Sequence, residues 1–475
     1  MTGKAITCLV ALAVAVGVRA DDATAVTLSD PVLDGIVREA LERSPEYARA
    51  RAAVEADRQR VPQVGALPDP NLSLGIQNDG FKSIQIGSME TSYWQVMVTQ
   101  GFPWPGKRGA REAAAAAQSE VTEAQLERIR LSTTAEVERA YVDLLRVRGQ
   151  LALQDRLEAL WKEAEVMART RYEVGQGAQS DLLRAQLERT RLRQQRIALE
   201  LTERTRVQAL NRLRVHALDE AIPTTRALAD VPLPALGVAQ QLVDDAERRS
   251  PELIQAKRSV TAADRRVDAA RKDRFPDLSV TAGIMPRGSL DPMWLASVGI
   301  TLPIFSGSKQ SRAVAETQDR RDAEIQGQEA TGQIVRLRAH ERHSALAALL
   351  DTARLYRGGL LVQSDATVHS TMSQYRVGKV TFASVLEALR GLLADEGDYL
   401  DTLAQVHRVA IAQREVSLDP AAVTMSAAST GAVPGAGAMG GGGAGAGKAG
   451  APAGGQAQAT ASSGGGGGGG MPGAM

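Results

Sequence analysis

The chain has 475 residues, with 56 Lys plus Arg against 55 Asp plus Glu and a net charge of +1. Without a basic excess to pair with phosphates, nucleic-acid binding is not expected. Aromatics make up 3% of the sequence and charged residues 23%, a balance that suits long helices better than an ordinary globular core. The single cysteine, Cys8, lies near the start, which leaves the rest of the chain without disulfides or thiolate metal sites.

Residues 1–20 read as a signal peptide. Met1 to Lys4 is a short basic segment, Ala5 to Val18 is apolar, and Val18-Arg19-Ala20 fits a cleavage site with modest residues at −3 and −1. The apolar run is shorter than the ~20 residues of a membrane-spanning helix. Most of it follows Cys8, so the cysteine reads as a passenger rather than a lipidation site. No later stretch is long and apolar enough to span a bilayer as a helix. If the chain crosses a membrane, it must do so with strands.

Two halves of about 200 residues share a plan. Ser44-Pro45-Glu46 returns as Ser250-Pro251-Glu252, and Pro70-Asn71-Leu72-Ser73 as Pro276-Asp277-Leu278-Ser279. Trp94 and Pro103 return as Trp294 and Pro303, and Tyr172-Glu173-Val174-Gly175 as Tyr375-Arg376-Val377-Gly378. Anchors that keep their order and nearly their spacing indicate an internal duplication. The expected organisation is a first repeat over 21–217, a linker over 218–237, a second repeat over 238–420 and a disordered tail over 421–475. That tail holds 20 of the 45 glycines and no aromatic residue.

Each half opens with a helix, over 31–64 and 238–272, where Ala, Leu, Val and Ile recur at helical spacing. Pro68-Asp69-Pro70 and Pro276-Asp277 stop them. Strand-like runs follow at Leu72–Ile86, Ser92–Phe102, Leu278–Met285 and Trp294–Ile304. Long helices are then expected over 107–174, 180–214, 309–376 and 383–417. The first of these would be ~100 Å long at ~1.5 Å per residue, far beyond a compact core. Each long descending helix would face two shorter ones laid end to end. Ala140, Leu144, Val147 and Leu151 step 4, 3, 4, and Leu153, Leu157, Leu160, Ala164 and Met167 step 4, 3, 4, 3. Leu386, Leu389, Leu393, Leu400 and Leu403 fit the same register with Glu396 as the polar exception. This is the spacing of knobs-into-holes packing.

The windows 72–106 and 275–306, which contain these runs, hold three of the four tryptophans and four of the five phenylalanines. Runs of about 9–11 residues with terminal aromatics fit transmembrane strands, and a small soluble β-domain is the other reading. Four strands cannot close a barrel. Strands in lipid leave no edge unpaired, so several chains would have to share one barrel.

Leu67-Pro68-Asp69-Pro70, Phe102-Pro103-Trp104-Pro105-Gly106-Lys107-Arg108, Tyr172-Glu173-Val174-Gly175-Gln176-Gly177 and Leu182-Leu183-Arg184, set in a two-fold repeat, resemble the TolC family of outer-membrane efflux channels. The resemblance covers about residues 30–417, and the Pro-Trp-Pro-Gly-Lys-Arg run is most similar to the CusC/CzcC-type members that serve heavy-metal efflux. It implies an α+β membrane protein: a long α-helical coiled-coil barrel with four transmembrane strands per chain, completed as a homotrimer with a twelve-stranded β-barrel. It further implies outer-membrane lipid around the strands, a helical tunnel in the periplasm, a periplasmic adaptor protein at its lower end and an inner-membrane transporter of the proton-driven RND type. Many members carry a lipid on an N-terminal cysteine. This chain has none at its expected mature start, so no lipid anchor is expected.

On that resemblance, the turns after the long helices are adaptor-docking tips, formed by Tyr172, Val174, Gly175, Gln176 and Gly177 and by Tyr375, Val377, Gly378 and Lys379. Ser180 or Asp181, and Thr381 or Ser384, are candidate caps of the returning helices. Asp181 and Arg184, three apart on one helical face, are candidates for the pore gate, where a carboxylate ring would favour cations. Asp181 fits a plain cap equally well. Trp94, Trp104 and Trp294 are expected at the membrane boundary. His340 and His343 lack the His-Glu-x-x-His spacing and any evident third ligand, so no metal site is expected. Gly101–Lys107 nearly spells a phosphate loop, but two prolines remove backbone donors and Arg108 replaces the Ser or Thr that would hold Mg²⁺. No nucleophile–base pair or paired carboxylates stand out, so neither enzyme activity nor a cofactor is expected. The expected function is a passive duct for heavy-metal cations. A duct for multidrug efflux or type I protein secretion, or a soluble periplasmic coiled-coil scaffold, are the alternatives.

Overall fold

The computed structural model describes residues 30–420. The expected signal peptide (1–20) and tail (421–475) lie outside them. Among the described residues no helix is long and apolar enough to cross a membrane.

The first expected helix is two helices, α1 (Pro31–Arg43) and α2 (Pro45–Gly65). The helix expected over 238–272 is likewise split into α5 (Ala239–Arg249) and α6 (Pro251–Lys272). Both breaks fall at Ser-Pro. Proline disfavours helical geometry in the residue before it, so Ser44 and Ser250 take extended ψ angles of 119° and 117°. Each serine then caps the next helix: Tyr47 N donates to Ser44 Oγ and Leu253 N to Ser250 Oγ, both at 3.3 Å. Helix α3 (Lys107–Glu173) runs unbroken for 67 residues and α4 (Gln179–Arg214) returns beside it. The long helix expected over 309–376 is interrupted. It consists of α7 (Gln310–Leu355), a π turn (Tyr356–Leu360) and α8 (Leu361–Arg376), before α9 (Phe382–Glu415) returns. Gly358 and Gly359 fill the π turn with no side chain to pack, while the Tyr356 ring rests 6.0 Å from that of Tyr399.

Four antiparallel strands, β1 (Asn71–Gln77), β2 (Tyr93–Phe102), β3 (Asp277–Arg287) and β4 (Leu290–Thr301), form one sheet in that order. The run expected to stay extended from Leu72 to Ile86 stops at Gln77. Asn78 folds the next residues into a loop: its Nδ2 donates to Gly80 O and Ser83 O at 2.8 Å, and its Oδ1 accepts from Gln85 N at 2.7 Å. β4 starts four residues earlier than the sequence suggests, because a tight turn at Gly288 (φ 64°) pairs Arg287 directly with Leu290.

The helical body carries the core. Helix α3 packs against α2 and α6 along its first part and against α4 and α9 further on, while α7 packs against α5, α6 and α9. One cluster joins α1, α3, α4 and α9 around Tyr141, Leu144, Leu210 and Leu403. Ile222, Leu228 and Val231 of the 218–237 segment are buried in it, so this stretch is part of the core. Tyr141 Oη donates to Asp30 Oδ2 at 2.5 Å within it, and Asp30 Oδ1 caps α1 by accepting from Val32 N at 2.9 Å. A second cluster lies between α3, α4, α8 and α9 and contains Leu157, Trp161, Ala164, Leu386 and Leu389 at the spacings the sequence shows. The polar exception, Glu396, is paired with Arg156.

Candidate functional site

Two regions stand apart from this core: the sheet at one end of the chain path and the paired helix turns at the other. In the sheet, the register places Leu72, Leu74 and Ile76 level with Val98, Val96 and Trp94. Those residues are level with Ala282 and Ile284 on β3, which meet Ala296 and Trp294 on β4. With Val280, Val298, Leu278 and Ile300 they make one face apolar throughout except for Gln100. The opposite face is mixed: Asn71, Ser73, Gln77, Gln95, Thr99, Ser279, Thr281 and Ser297 share it with Met97, Met285, Met293 and Leu295. Among the described residues nothing covers the apolar face. Leu74 and Val298 are about three-quarters exposed, and Trp294 is 78% exposed. β1 and β4 are edges with unpaired backbone groups.

The three expected boundary tryptophans divide between the ends of this sheet. Trp94 and Trp294 lie toward the loops. Trp104 lies at the helical end, half-buried, its ring stacked on Phe275 at 6.1 Å with 7° between the planes. Asp277 Oδ1 accepts from Trp104 N at 3.0 Å and from Lys107 Nζ at 2.8 Å, which ties the start of α3 to β3. Lys107 is thereby buried rather than a free surface cation.

At the other end, α3 and α8 close in the same way. Gly175 and Gly378 adopt φ of 73° and 77°, and the next amides reach back: Gln176 N donates to Arg171 O at 2.8 Å and Lys379 N to Gln374 O at 2.9 Å. A left-handed glycine with this six-residue bond is how helices stop without orphaning their last carbonyls. The returning helices are capped at Ala178 and Thr381, neither through its side chain. The expected caps Ser180, Asp181 and Ser384 do not serve, because the helices begin one or two residues before them, at Gln179 and Phe382.

The two turns are locked together by residues from both. Arg171 donates Nη1 to Tyr375 O and Nη2 to Gln176 O at 3.0 Å, and its guanidinium lies 4.8 Å from the centre of the Tyr375 ring. The other side of that ring meets Phe382 at 5.3 Å. Tyr375 Oη donates to Asp181 Oδ2 at 3.3 Å. Burial, then the charge and hydrogen bond of Asp181, push the Tyr375 hydroxyl up to about 12.

This geometry sorts the candidates. Tyr172, Val174, Gly175, Gln176, Val377, Gly378 and Lys379 are exposed. Tyr375 is 2% exposed, so it supports the tip from beneath and offers no docking surface. Gly177 is half-buried, and a Cβ there would meet Arg171 at 3.0 Å. Asp181 faces Tyr375, while Arg184 is exposed and makes no ion pair with it. Arg171 was not singled out from the sequence, although a cation in the last turn of a helix is a signal that could have found it. Among the described residues no group of three or more His, Cys, Asp or Glu could hold a metal ion. His343 instead bonds Gly237 O at 3.1 Å and His340 lies exposed.

The sequence profile described as "Outer membrane efflux protein" matches residues 36–216 and 242–420, most of the chain. The chain belongs to that family. The family is one of efflux proteins rather than enzymes, and the resemblance to TolC-type channels holds. Among curated relatives, the nickel-cobalt-cadmium resistance protein NccC of Alcaligenes xylosoxydans xylosoxydans is 25% identical over 283 residues, covering 59% of this chain and 62% of the relative. The outer membrane efflux protein BepC of Brucella suis biovar 1 is 24% identical over 298 residues, covering 60% and 63%. The chain thus spans less than two thirds of either relative. Among solved structures, the outer-membrane channel OprN superposes with a TM-score of 0.70 at 20% identity, covering 82% of this chain and 90% of that one. CusC gives 0.70 at 17% identity, covering 82% and 92%. The open state of the MtrE outer membrane channel of Neisseria gonorrhoeae gives 0.68 at 20%, covering 81% and 89%. At these identities the likeness shows the fold: a mostly helical chain with a small sheet, of the outer-membrane channel type.

Proposed function

We propose that the protein is the outer-membrane duct of a tripartite efflux system. The observation that carries this reading is the sheet, almost wholly apolar on one uncovered face, mixed with many polar residues on the other and unpaired at both edges. Such a sheet is stable in lipid only when closed, with its apolar face outward. Three copies would supply twelve strands, above the ~8 of the smallest bacterial barrels. The duplicated plan of 21–217 and 238–420, joined by 218–237, gives each copy two hairpins of strands and two of helices, so three copies would close a six-fold-like tunnel in the periplasm. A soluble scaffold has no use for such a sheet.

In this reading the exposed tip residues Tyr172, Val174, Gly175, Gln176, Val377, Gly378 and Lys379 meet a periplasmic adaptor bound to an inner-membrane RND-type transporter. Asp181 and Arg184, one turn above the tip, line the aperture, and the Tyr375–Asp181 bond holds it in its present setting. Heavy-metal cations are the proposed cargo, in line with the metal-resistance relative NccC. The duct conducts passively and needs no metal site or cofactor of its own.

Planar-bilayer conductance of the purified protein, with its mass measured in detergent, tests this. Conductance steps from a trimeric species are expected, with cations preferred over anions and the preference reduced by Asp181→Ala. A water-soluble monomer without conductance overturns the reading. The cargo is tested separately by deleting the gene and measuring growth on nickel, cobalt and cadmium salts.

A further inference from the structure

The ring of residues at the helical end of the sheet is unlike the rest of the chain in charge. Segments 66–70, 103–113, 265–277 and 302–312 enclose that end and hold ten Lys and Arg against five Asp and Glu, in a chain whose net charge is +1. The loops at the other end, 78–92 and 286–292, hold two against three. Among the described residues Lys272, Arg265, Arg274, Lys309 and Arg312 form no ion pair, whereas Arg111 pairs with Asp273 at 2.8 Å and Lys107 with Asp277.

Between the first turns of α3 and the last turns of α6 this ring opens into a groove of about 510 Å³. Gly106, Ala110 and Ala113 form its floor, and small side chains keep it open. Arg265, Arg271, Lys272 and Phe275 form its other wall. The carboxylate in the groove, Asp268, is engaged by Arg271 at 3.4 Å. Lys272 Nζ sits 5.7 Å from the centre of the Phe275 ring, whose other partner is Trp104. Aromatic rings and unpaired cations meet here directly below the last apolar residues of the sheet, Phe102, Leu278 and Ile300. A ligand suited to this place carries a phosphate for Lys272 and Arg265 and hydrocarbon for the apolar face above.

We propose that this groove binds the headgroup of an anionic phospholipid from the leaflet facing the helices. The proposal rests on the sheet being membrane-embedded. It commits to a lipid rather than free phosphate because the cations adjoin the apolar face and because the charge is confined to one end of the sheet. Near a membrane surface each Lys or Arg contributes about fivefold in affinity for anionic lipid, so removing two should cost roughly thirtyfold.

The test uses the detergent-solubilised full assembly, titrated with phosphatidylglycerol, phosphatidylcholine or inorganic phosphate while its Tm is followed. Wild-type protein should show a saturable rise in Tm with phosphatidylglycerol and little with the other two. The double variant Arg265→Gln/Lys272→Gln should keep its lipid-free Tm and lose most of the phosphatidylglycerol affinity. Arg354→Gln, a cation paired with Asp351 on α7 away from the sheet, should behave as wild type. Equal effects of phosphatidylglycerol and phosphatidylcholine overturn the proposal, as does an unchanged affinity in the double variant. Protection by phosphate alone would make it a phosphate site instead. Insertion into phosphatidylcholine liposomes is scored in parallel. Its failure would sink the membrane reading itself, whereas insertion without anionic preference sinks only the headgroup site.

Discussion

The two helix turns carry the same short pattern, Tyr-x-Val-Gly, yet they put its tyrosine to opposite uses. Tyr172 is 44% exposed at the end of α3, while Tyr375 at the end of α8 is 2% exposed between Arg171 and Phe382. Both glycines that follow stop their helices with the same left-handed geometry. The difference lies in what the tyrosine meets, and it divides the tip into a buried clasp and a free surface. One turn supplies the bonds that hold the tip, and the other leaves its aromatic side chain available to a partner.

The strongest way to break this comparison is Tyr375→Ala. Removing a buried aromatic costs about 3–5 kcal/mol, and it also leaves Arg171 and Asp181 without their shared partner. Amide hydrogen exchange should show the turn and the first turns of α9 losing protection by that order. Unchanged exchange would mean that the clasp does not hold the tip. Gly378→Ala should come next. It forces a side chain to φ 77°, at about 1–2 kcal/mol, and brings a Cβ within 3.1 Å of the Arg171 guanidinium. Chemical denaturation of the variant reads this cost.

Tyr375→Phe sharpens the comparison by keeping the ring and removing the hydroxyl. It should cost about 1 kcal/mol and change the response to alkali. Because the folded hydroxyl titrates near 12 against an ordinary value near 10, the folded state holds its proton longer than the unfolded one. Its stabilising contribution is therefore complete below pH 10 and is lost as pH rises from 10 toward 12. The phenylalanine variant should lack that component of the alkaline loss when melting is followed across this range. Tyr172→Ala should have the smallest effect on stability, within about 0.5 kcal/mol, as for an exposed side chain. On the proposed function its effect is expected in adaptor binding, which surface plasmon resonance on the isolated partner would show as a weakened association. A large loss of stability would mean that the two tyrosines are not divided in this way.

The long helices were legible because their apolar residues recur at helical spacing over many turns, as from Leu153 to Met167. The strands were legible through their aromatic ends and alternation. The breaks at Ser44 and Ser250 were not, because the helical pattern continues on both sides and only the pre-proline geometry marks the change. The loop after Gln77 depends on three hydrogen bonds of a single asparagine side chain, and nothing in residue order announces them. At the tip, the glycines and the exposed residues were readable. The burial of Tyr375 was not, since it depends on Arg171 and Phe382 arriving from other helices.

The π turn at Tyr356–Leu360 gives that difference a geometric origin. Tyr172 follows Lys107, the first residue of α3, by 65 residues, and Tyr375 follows Gln310, the first of α7, by the same 65. Equal counts along an α-helix would leave both side chains at the same azimuth. A π turn takes in one residue more than an α turn, so everything beyond it lags by about 100°. The two glycines that allow the wider turn thus act as a phase shifter, setting from more than three helical turns away which way Tyr375 points. Deleting Gly359 together with the π turn would leave Tyr375 at its present azimuth, whereas Gly358→Ala/Gly359→Ala, if it closed the turn as ordinary α-helix, would swing Tyr375 by about 100°, off Phe382 and Asp181, without any change to the residues of the tip.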